Sequence, residues 1–343
     1  MPHDPKSSGG AGSKAEREWM KAARIVAEIP YPPVSAWEFN QLKTEAAVRE
    51  RLQDATVYII AQRPILWFDR VRDEGGDIRF EINDGRGPPV KGIIDPLRLG
   101  LFGPGEPMAL ECGFHHDAEE TPPPWDRAGS IKLFDRDKRL RAWWSPQKLL
   151  FEALAHDLKV PFAGDLERFM EFEIHYIGKA YDQSLWERLA AHRRYLEILI
   201  NEKVRGVDHA QPSLEITIFA LEVVDLEELA GMRDGPDEDI PDPPHVKIFR
   251  HPDDPDDPRW QAFRRRWAYP HEPAVTTELE AALIDLFKPE HNRIKVKKYP
   301  NIAGGLQALG YSDTLLRLRN CPYIFRTEAG GTPLEGADPG NGW

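Results

Sequence analysis

The sequence predicts an α+β protein: a small antiparallel sheet flanked by helices in the C-terminal half, joined to a β-rich N-terminal domain. Three observations predict it. Between residues 31 and 159 the apolar residues alternate with period two and are broken by Gly- and Asp-containing turns, as in hairpins. After residue 165 strand-like and helix-like patterns follow one another as strand, helix, strand, helix. The length of 343 residues favours two compact units rather than one or three. The expected boundaries are a disordered tail at 1–15, a β-rich domain at 16–160, a second domain at 161–310 carrying an acidic insertion at 233–258, and a disordered tail at 327–343.

Residues 15–29 place Trp19, Ala22, Ala23 and Val26 at helical spacing before Pro30, which predicts a short amphipathic helix. Thr56 to Ala61 is β-branched and apolar, and reads as a strand. Residues 77–94 read as two extended runs around Asp84-Gly85-Arg86-Gly87, and residues 130–145 as a second hairpin. In the second half, strands are expected at 172–177 and 214–224 and a long helix at 184–203 with Ser184 as its N-cap. A last helix at 277–287 opens on Thr277 and Glu280 at capping-box spacing and turns Leu279, Leu283, Ile284 and Phe287 inward.

Composition narrows the function. With 41% apolar and 30% charged residues, and no apolar run near the roughly 20 residues of a spanning helix, no membrane partner is expected. The N-terminus lacks the apolar stretch of a signal peptide, and the two cysteines, Cys112 and Cys321, support neither a disulfide framework nor a paired-cysteine zinc site, so a cytoplasmic location is expected. The net charge of −12 argues against nucleic acid only as an average. Much of the acid lies in Asp234 to Asp257, whereas Arg264, Arg265 and Arg266 precede the last helix and Arg293, Lys295, Lys297 and Lys298 follow it, giving that region a local positive field.

Two blocks carry chemistry. In YIGKAYDQSLWERLAAH, Tyr176 to His192, a strand ends, the chain turns at Gly178, and a helix then sets Arg188 and His192 four residues apart on one face. In LEAALIDLFKPEHN, Leu279 to Asn292, Glu280 opens a helix and Asn292 follows its proline-marked end. Tyr, Lys, Arg, His and Glu suit phosphodiester cleavage, because one carboxylate can hold a hydrated Mg²⁺, Arg can brace phosphoryl oxygens and His or Tyr can take a proton from water. Each also has a plainer role to hand: Tyr176 as a core aromatic, Glu280 as a helix cap, Asn292 as a helix stop. The weaker features are the Gly-rich run Gly9 to Lys14, which lacks Walker spacing, and Cys112, His115, His116 and Asp117, which lack a second ligand pair for zinc. Trp143 and Trp144 offer rings for base stacking, or half-buried hairpin aromatics.

These blocks resemble the GIY-YIG nuclease family over roughly residues 165–300. Tyr176-Ile177-Gly178 is similar to the second half of the family's name motif, Lys179 to the frequent lysine after it, Arg188 to the family arginine, and His192 stands where several members carry His or Tyr. Glu280 is similar to the metal-binding glutamate and Asn292 to the asparagine that closes the pattern. The family's Gly-Ile-Tyr strand, expected shortly upstream, is not found, and Tyr181, Tyr58 and Tyr195 are the candidates for its tyrosine. The resemblance implies a metal-dependent endonuclease acting on nucleic acid, DNA ahead of RNA, with Mg²⁺ or Mn²⁺ on Glu280. Arg188 would stabilise the phosphorane, His192 or Tyr176 would take the proton from water, and Lys179 would lower the cost of the developing charge. Arg264, Arg265, Lys295, Lys297 and Asn292 would meet the substrate. By analogy it suggests phage defence, restriction or a mobile element, with the N-terminal domain left for target recognition or a protein partner. The rival expectation is a module that has lost cleavage and binds nucleic acid or a protein.

Overall fold

The computed structural model describes residues 18–35, 38–39, 42–114, 122–156, 158–180, 185–190, 213–233, 273–292, 299–311 and 313–327. In chain order its elements are β1 (Glu18–Glu28), β2 (Val34–Ser35), α1 (Ala46–Arg51), β3 (Ala55–Pro64), β4 (Trp67–Glu74), β5 (Asp77–Asn83) and β6 (Val90–Ile94). There follow β7 (Ala109–Gly113), β8 (Ser130–Phe134), β9 (Leu140–Trp144), α2 (Pro146–Ala155), β10 (Phe162–Ala163) and β11 (Glu171–Lys179). The last are α3 (Leu185–Ala190), β12 (Leu214–Arg233), α4 (Pro273–Phe287), β13 (Asp313–Arg319) and β14 (Ile324–Arg326). The protein is mixed α+β with strands in the majority and several sheets.

The central sheet runs β13-β1-β12-β3-β11-β14, with β2 beside β12. Its middle is antiparallel, and the edge strands β13 and β14 run parallel to β1 and β11. It is larger than the small sheet expected for residues 161–310, because β1 and β3 from the first half lie among β11, β12 and β13 from the second. The sequence-based division at residue 160 therefore does not mark an edge of this sheet. Between β3 and β11 the chain leaves to build a four-stranded sheet, β10-β6-β5-β4, and a three-stranded one, β7-β8-β9. The hairpins expected at 77–94 and 130–145 are β5–β6 and β8–β9.

Two expectations are corrected. The amphipathic helix expected at 15–29 is replaced over its described part by a strand, Glu18–Glu28, paired antiparallel with β12 and parallel with β13. Ala23, Ile25 and Ala27 are buried at period two, and hydrogen bonding on both edges outweighs a local pattern that also fits a helix. The last helix starts at Pro273, four residues before the expected cap, so Thr277 and Glu280 lie inside it and form no capping box. Proline suits a first helical turn, where its missing N–H costs nothing.

Both faces of the sheet are covered. On one, α4 buries Val275, Leu279, Leu283 and Phe287 in a cluster with Val57, Ile59, Ile177 and Phe219 that continues through Phe68, Phe80 and Ile131 of the inserted strands and Phe151 of α2. Each such side chain contributes about 1.5–3 kcal/mol. On the other, Val48 and Leu52 at α1 and Leu185 and Leu189 of α3 cluster with Tyr58, Ile60, Ile216 and Ile218, and Tyr176 packs against them.

Candidate active site

The candidate residues gather where the β3–β11 pair ends, at Lys179 opposite Val57. A strand alternates faces, so a continuous β11 would put Ile174 and Tyr176 on the same side. The register instead shifts between them: Ile174 pairs with Ala61 and Tyr176 with Ile60, leaving His175 as an extra residue. This bulge turns Tyr176 to the face occupied by Tyr58, and His175, 2% exposed, meets Gln62 Oε1 at 3.2 Å through Nε2.

Tyr58 lies opposite Gly178, and the Tyr58 and Tyr176 ring centroids are 6.0 Å apart. Only glycine fits between them, because a Cβ at Gly178 would stand 2.6 Å from Tyr58 Oη and 2.7 Å from Tyr176 Cε1. Of the three tyrosines considered for the missing position, the structure brings Tyr58 to Tyr176, while Tyr181 and Tyr195 lie outside the described residues. Tyr58 is 0% exposed; burial holds its hydroxyl well above the usual tyrosine range, Tyr176 adds to this, and Arg188 opposes it.

Arg188 is half-buried on α3, and its Nε is buried without a hydrogen-bond acceptor among the described residues. Its charge also reaches Glu280, whose carboxyl is raised above the usual range by burial, with Lys179 and then Arg188 acting against the rise. Lys179 Nζ stands 3.2 Å from Glu280 Oε2 and donates to Thr277 Oγ1 at 3.0 Å. α4 thus offers its carboxylate to the lysine at the end of β11, and α3 brings an arginine to the tyrosine pair.

The Asn292 amide is spent on the backbone of β11. It is buried, accepts from Ile177 N at 3.0 Å through Oδ1 and donates Nδ2–H to Ile177 O at 2.8 Å. Beyond Glu173 the outer edge of β11 has no strand beside it among the described residues, since β14 pairs with Glu171 to Glu173. The Asn292 amide fills the place of a neighbouring strand at Ile177, and His291 N donates to His175 O beside it. His192, Arg264, Arg265, Lys295 and Lys297 lie outside the described residues, as do the acidic run from Asp234 to Asp257 and His115, His116 and Asp117.

The donor set limits what cation it could hold. Among the described residues no three His, Cys, Asp or Glu side chains cluster. Glu280 is a single carboxylate with an exchangeable partner in Lys179, which suits a hard ion that keeps most of its own waters, such as Mg²⁺, and not a fully protein-ligated site. No helix among the described residues is long and apolar enough to cross a membrane. Sequence reasoning missed Thr277 as a partner of Lys179 and gave Tyr58 no priority; the strand-forming run Thr56-Val57-Tyr58, two β-branched residues and an aromatic one, was the available signal. No model of a known protein family, no curated protein and no solved structure matches the chain.

Proposed function

We propose that the protein is a metal-dependent endonuclease of GIY-YIG type that hydrolyses phosphodiester bonds in nucleic acid, with DNA as the first substrate to test. The observation that carries this reading is the meeting of Tyr58 and Tyr176 over Gly178, with Arg188 beside the pair. Thr56-Val57-Tyr58 on β3 runs antiparallel to Tyr176-Ile177-Gly178, with the inserted sheets between the two in sequence. In this reading Tyr58 takes the part of the tyrosine the linear pattern lacks.

In the mechanism, Arg188 braces the phosphoryl oxygens and offsets the charge that develops on them. Tyr176, half-exposed, accepts a proton from the attacking water as its own hydroxyl proton leaves to His192 or to bulk water. Lys179, freed from Glu280, adds a second positive charge beside the phosphate. Glu280 would hold a hydrated Mg²⁺ or Mn²⁺, which supplies Lewis-acid stabilisation of a phosphate oxygen and of the leaving oxygen.

One observation favours a second reading, a module that binds nucleic acid or a protein without cutting: Tyr58 is fully buried. The discriminating experiment is cleavage of supercoiled plasmid and of labelled single-stranded DNA and RNA with Mg²⁺ or Mn²⁺. The wild type is compared with Glu280→Ala, Arg188→Ala and Tyr58→Phe. Metal-dependent cutting that drops at least about a hundredfold in the first two variants is expected, as for loss of a transition-state charge partner. A folded protein that binds nucleic acid and cuts none selects the second reading.

A further inference from the structure

The link between β1 and β2, helix α1, strand β9 and helix α2 converge on an open cleft of about 540 Å³ that the cleavage chemistry does not use. Its size falls in the range of small-molecule sites, about 300–1,000 Å³. Four aromatic rings line it, those of Tyr31, Trp143, Phe151 and His156, together with the charged side chains of Arg51 and Glu152. The structure separates the two adjacent tryptophans. Trp144 is 3% exposed and donates Nε1–H to Glu152 at 2.8 Å, a core role, whereas Trp143 is half-buried and faces the cleft.

The walls are held in place before any ligand arrives. Lys148 Nζ lies 5.2 Å from the Trp143 ring centroid, donates to Trp143 O at 3.1 Å and pairs with Glu152 at 2.6 Å, which ties the indole to α2. Phe151 and His156 meet edge to face at 4.8 Å. Arg51 donates Nε–H to Pro30 O at 2.8 Å, and its Nη groups make no hydrogen bond or ion pair among the described residues. Burial, with Glu38, Glu152 and Glu45, pushes the Tyr31 hydroxyl up to about 12, so it stays a neutral donor at physiological pH.

This set of walls selects among ligand classes. Ring faces in this number would be wasted on an aliphatic chain, and Arg51 in the lining disfavours the quaternary cations that aromatic cages take. A ligand that is both flat and anionic uses everything present: rings to stack on, Arg51 for a phosphate, Glu152 and Tyr31 for the polar edge of a base. The cleft is also joined to the candidate active site through α1. Val48 lines the cleft and belongs, with Leu52, to the cluster that holds Tyr58 and against which Tyr176 packs.

We infer that this cleft binds one unstacked nucleotide of a nucleic-acid strand, its base against Trp143 and Tyr31 and its phosphate at Arg51. The inference rests on the nucleic-acid reading above and adds to it a recognition subsite in which one base is read out of the stack. The cost of unstacking is lowest for a single-stranded, mismatched or damaged position, so such positions are the preferred targets.

The test uses the full chain carrying Glu280→Ala to prevent cutting, and a single-stranded oligodeoxynucleotide with one 2-aminopurine. Titration should give a saturable change in 2-aminopurine fluorescence. Trp143→Ala should weaken binding about tenfold or more and remove the change, while Trp143→Phe, which keeps a ring, should retain most of both. Arg51→Ala, at an exposed position, should weaken binding and flatten its salt dependence, and carries the test if Trp143→Ala does not fold. Absence of probe binding, or equal affinity and signal in folded Trp143→Ala and its parent, would overturn the inference. A wild type that cuts nothing but binds the probe through Trp143 would leave the cleft standing and remove the catalytic reading. A wild type that cuts, with probe signal and KM unchanged by Trp143→Ala, would do the reverse.

Discussion

Tyr58 and Tyr176 meet because three residues allow it: His175, whose extra place in the strand turns Tyr176 over, Gly178, which leaves room, and Arg188, which opposes the burial of a hydroxyl. Gly178 is the one whose change is easiest to interpret. A Cβ there has little free space, since it would meet the Tyr58 hydroxyl oxygen at 2.6 Å and ring carbons of Tyr176 and Tyr58 at 2.7 Å. Gly178→Ala is therefore expected to destabilise the fold by about 1–3 kcal/mol, the usual cost of overpacking, while pushing the rings apart. Urea denaturation measures the first effect and plasmid cleavage the second. Cleavage should fall more than about tenfold under conditions where the variant is still folded, since small misplacements of catalytic groups are costly. Unchanged cleavage in a variant with the expected loss of stability would show that the tyrosine pair is a packing feature only.

At the scale of elements, β11 is held on one edge by β3 and on the other by a short strand, one asparagine and one backbone amide. Asn292→Ala would leave Ile177 N and O without partners in a buried site, at about 1–3 kcal/mol for each group. The expected result is a loss of several degrees in Tm and a loss of cleavage, because Tyr176 and Gly178 flank the released residue. Asn292→Asp, which sets a carboxylate oxygen against Ile177 O in a buried site, is expected to lower Tm at least as much as Asn292→Ala at neutral pH. A Tm unchanged in Asn292→Ala would mean that water replaces the amide. The strands β3, β5, β6, β8, β9 and β11 were legible in the sequence because each carries its own alternation or β-branched run between turn residues. β1 was not, since Ala22, Ala23 and Val26 satisfy a helical spacing as well as an extended one, and what decides between them is β12 and β13, far along the chain. The bulge at His175 leaves no mark in composition or spacing. Asn292 was found by its position after Pro289, but its hydrogen bonds depend on a strand edge that only the sheet order reveals.

For the whole molecule, the order of strands in the central sheet sets the unit of folding. The hydrophobic cluster under α4 is continuous from Ala23 and Ile25 through Phe68, Phe80 and Phe151 to Phe172, Phe219 and Phe325. Phe219 sits at its centre, with Phe172 at 4.7 Å and Phe325 at 4.9 Å, both edge to face. These three rings come from β11, β12 and β14, yet β12 reaches β11 only through β3 of the first half. A chain cut at residue 160 separates β3 from both of its neighbours. It exposes the edges of β11 and β12 and removes Val57, Ile59 and Ala61 from the core along with Tyr58 from the site. Independent domains survive such a cut because few contacts cross their boundary, and here the shared sheet crosses it. Fragments 1–160 and 161–343, expressed separately, are therefore expected to lack a cooperative thermal transition and to show collapsed or unfolded far-UV circular dichroism, and 161–343 is expected to cut no DNA. The intact chain should melt in one main transition. A folded, active 161–343 fragment would mean that β3 is dispensable to the sheet and that Tyr58 has no part in the chemistry. That single result would undo the pairing of Tyr58 with Tyr176 as the basis of the proposed site.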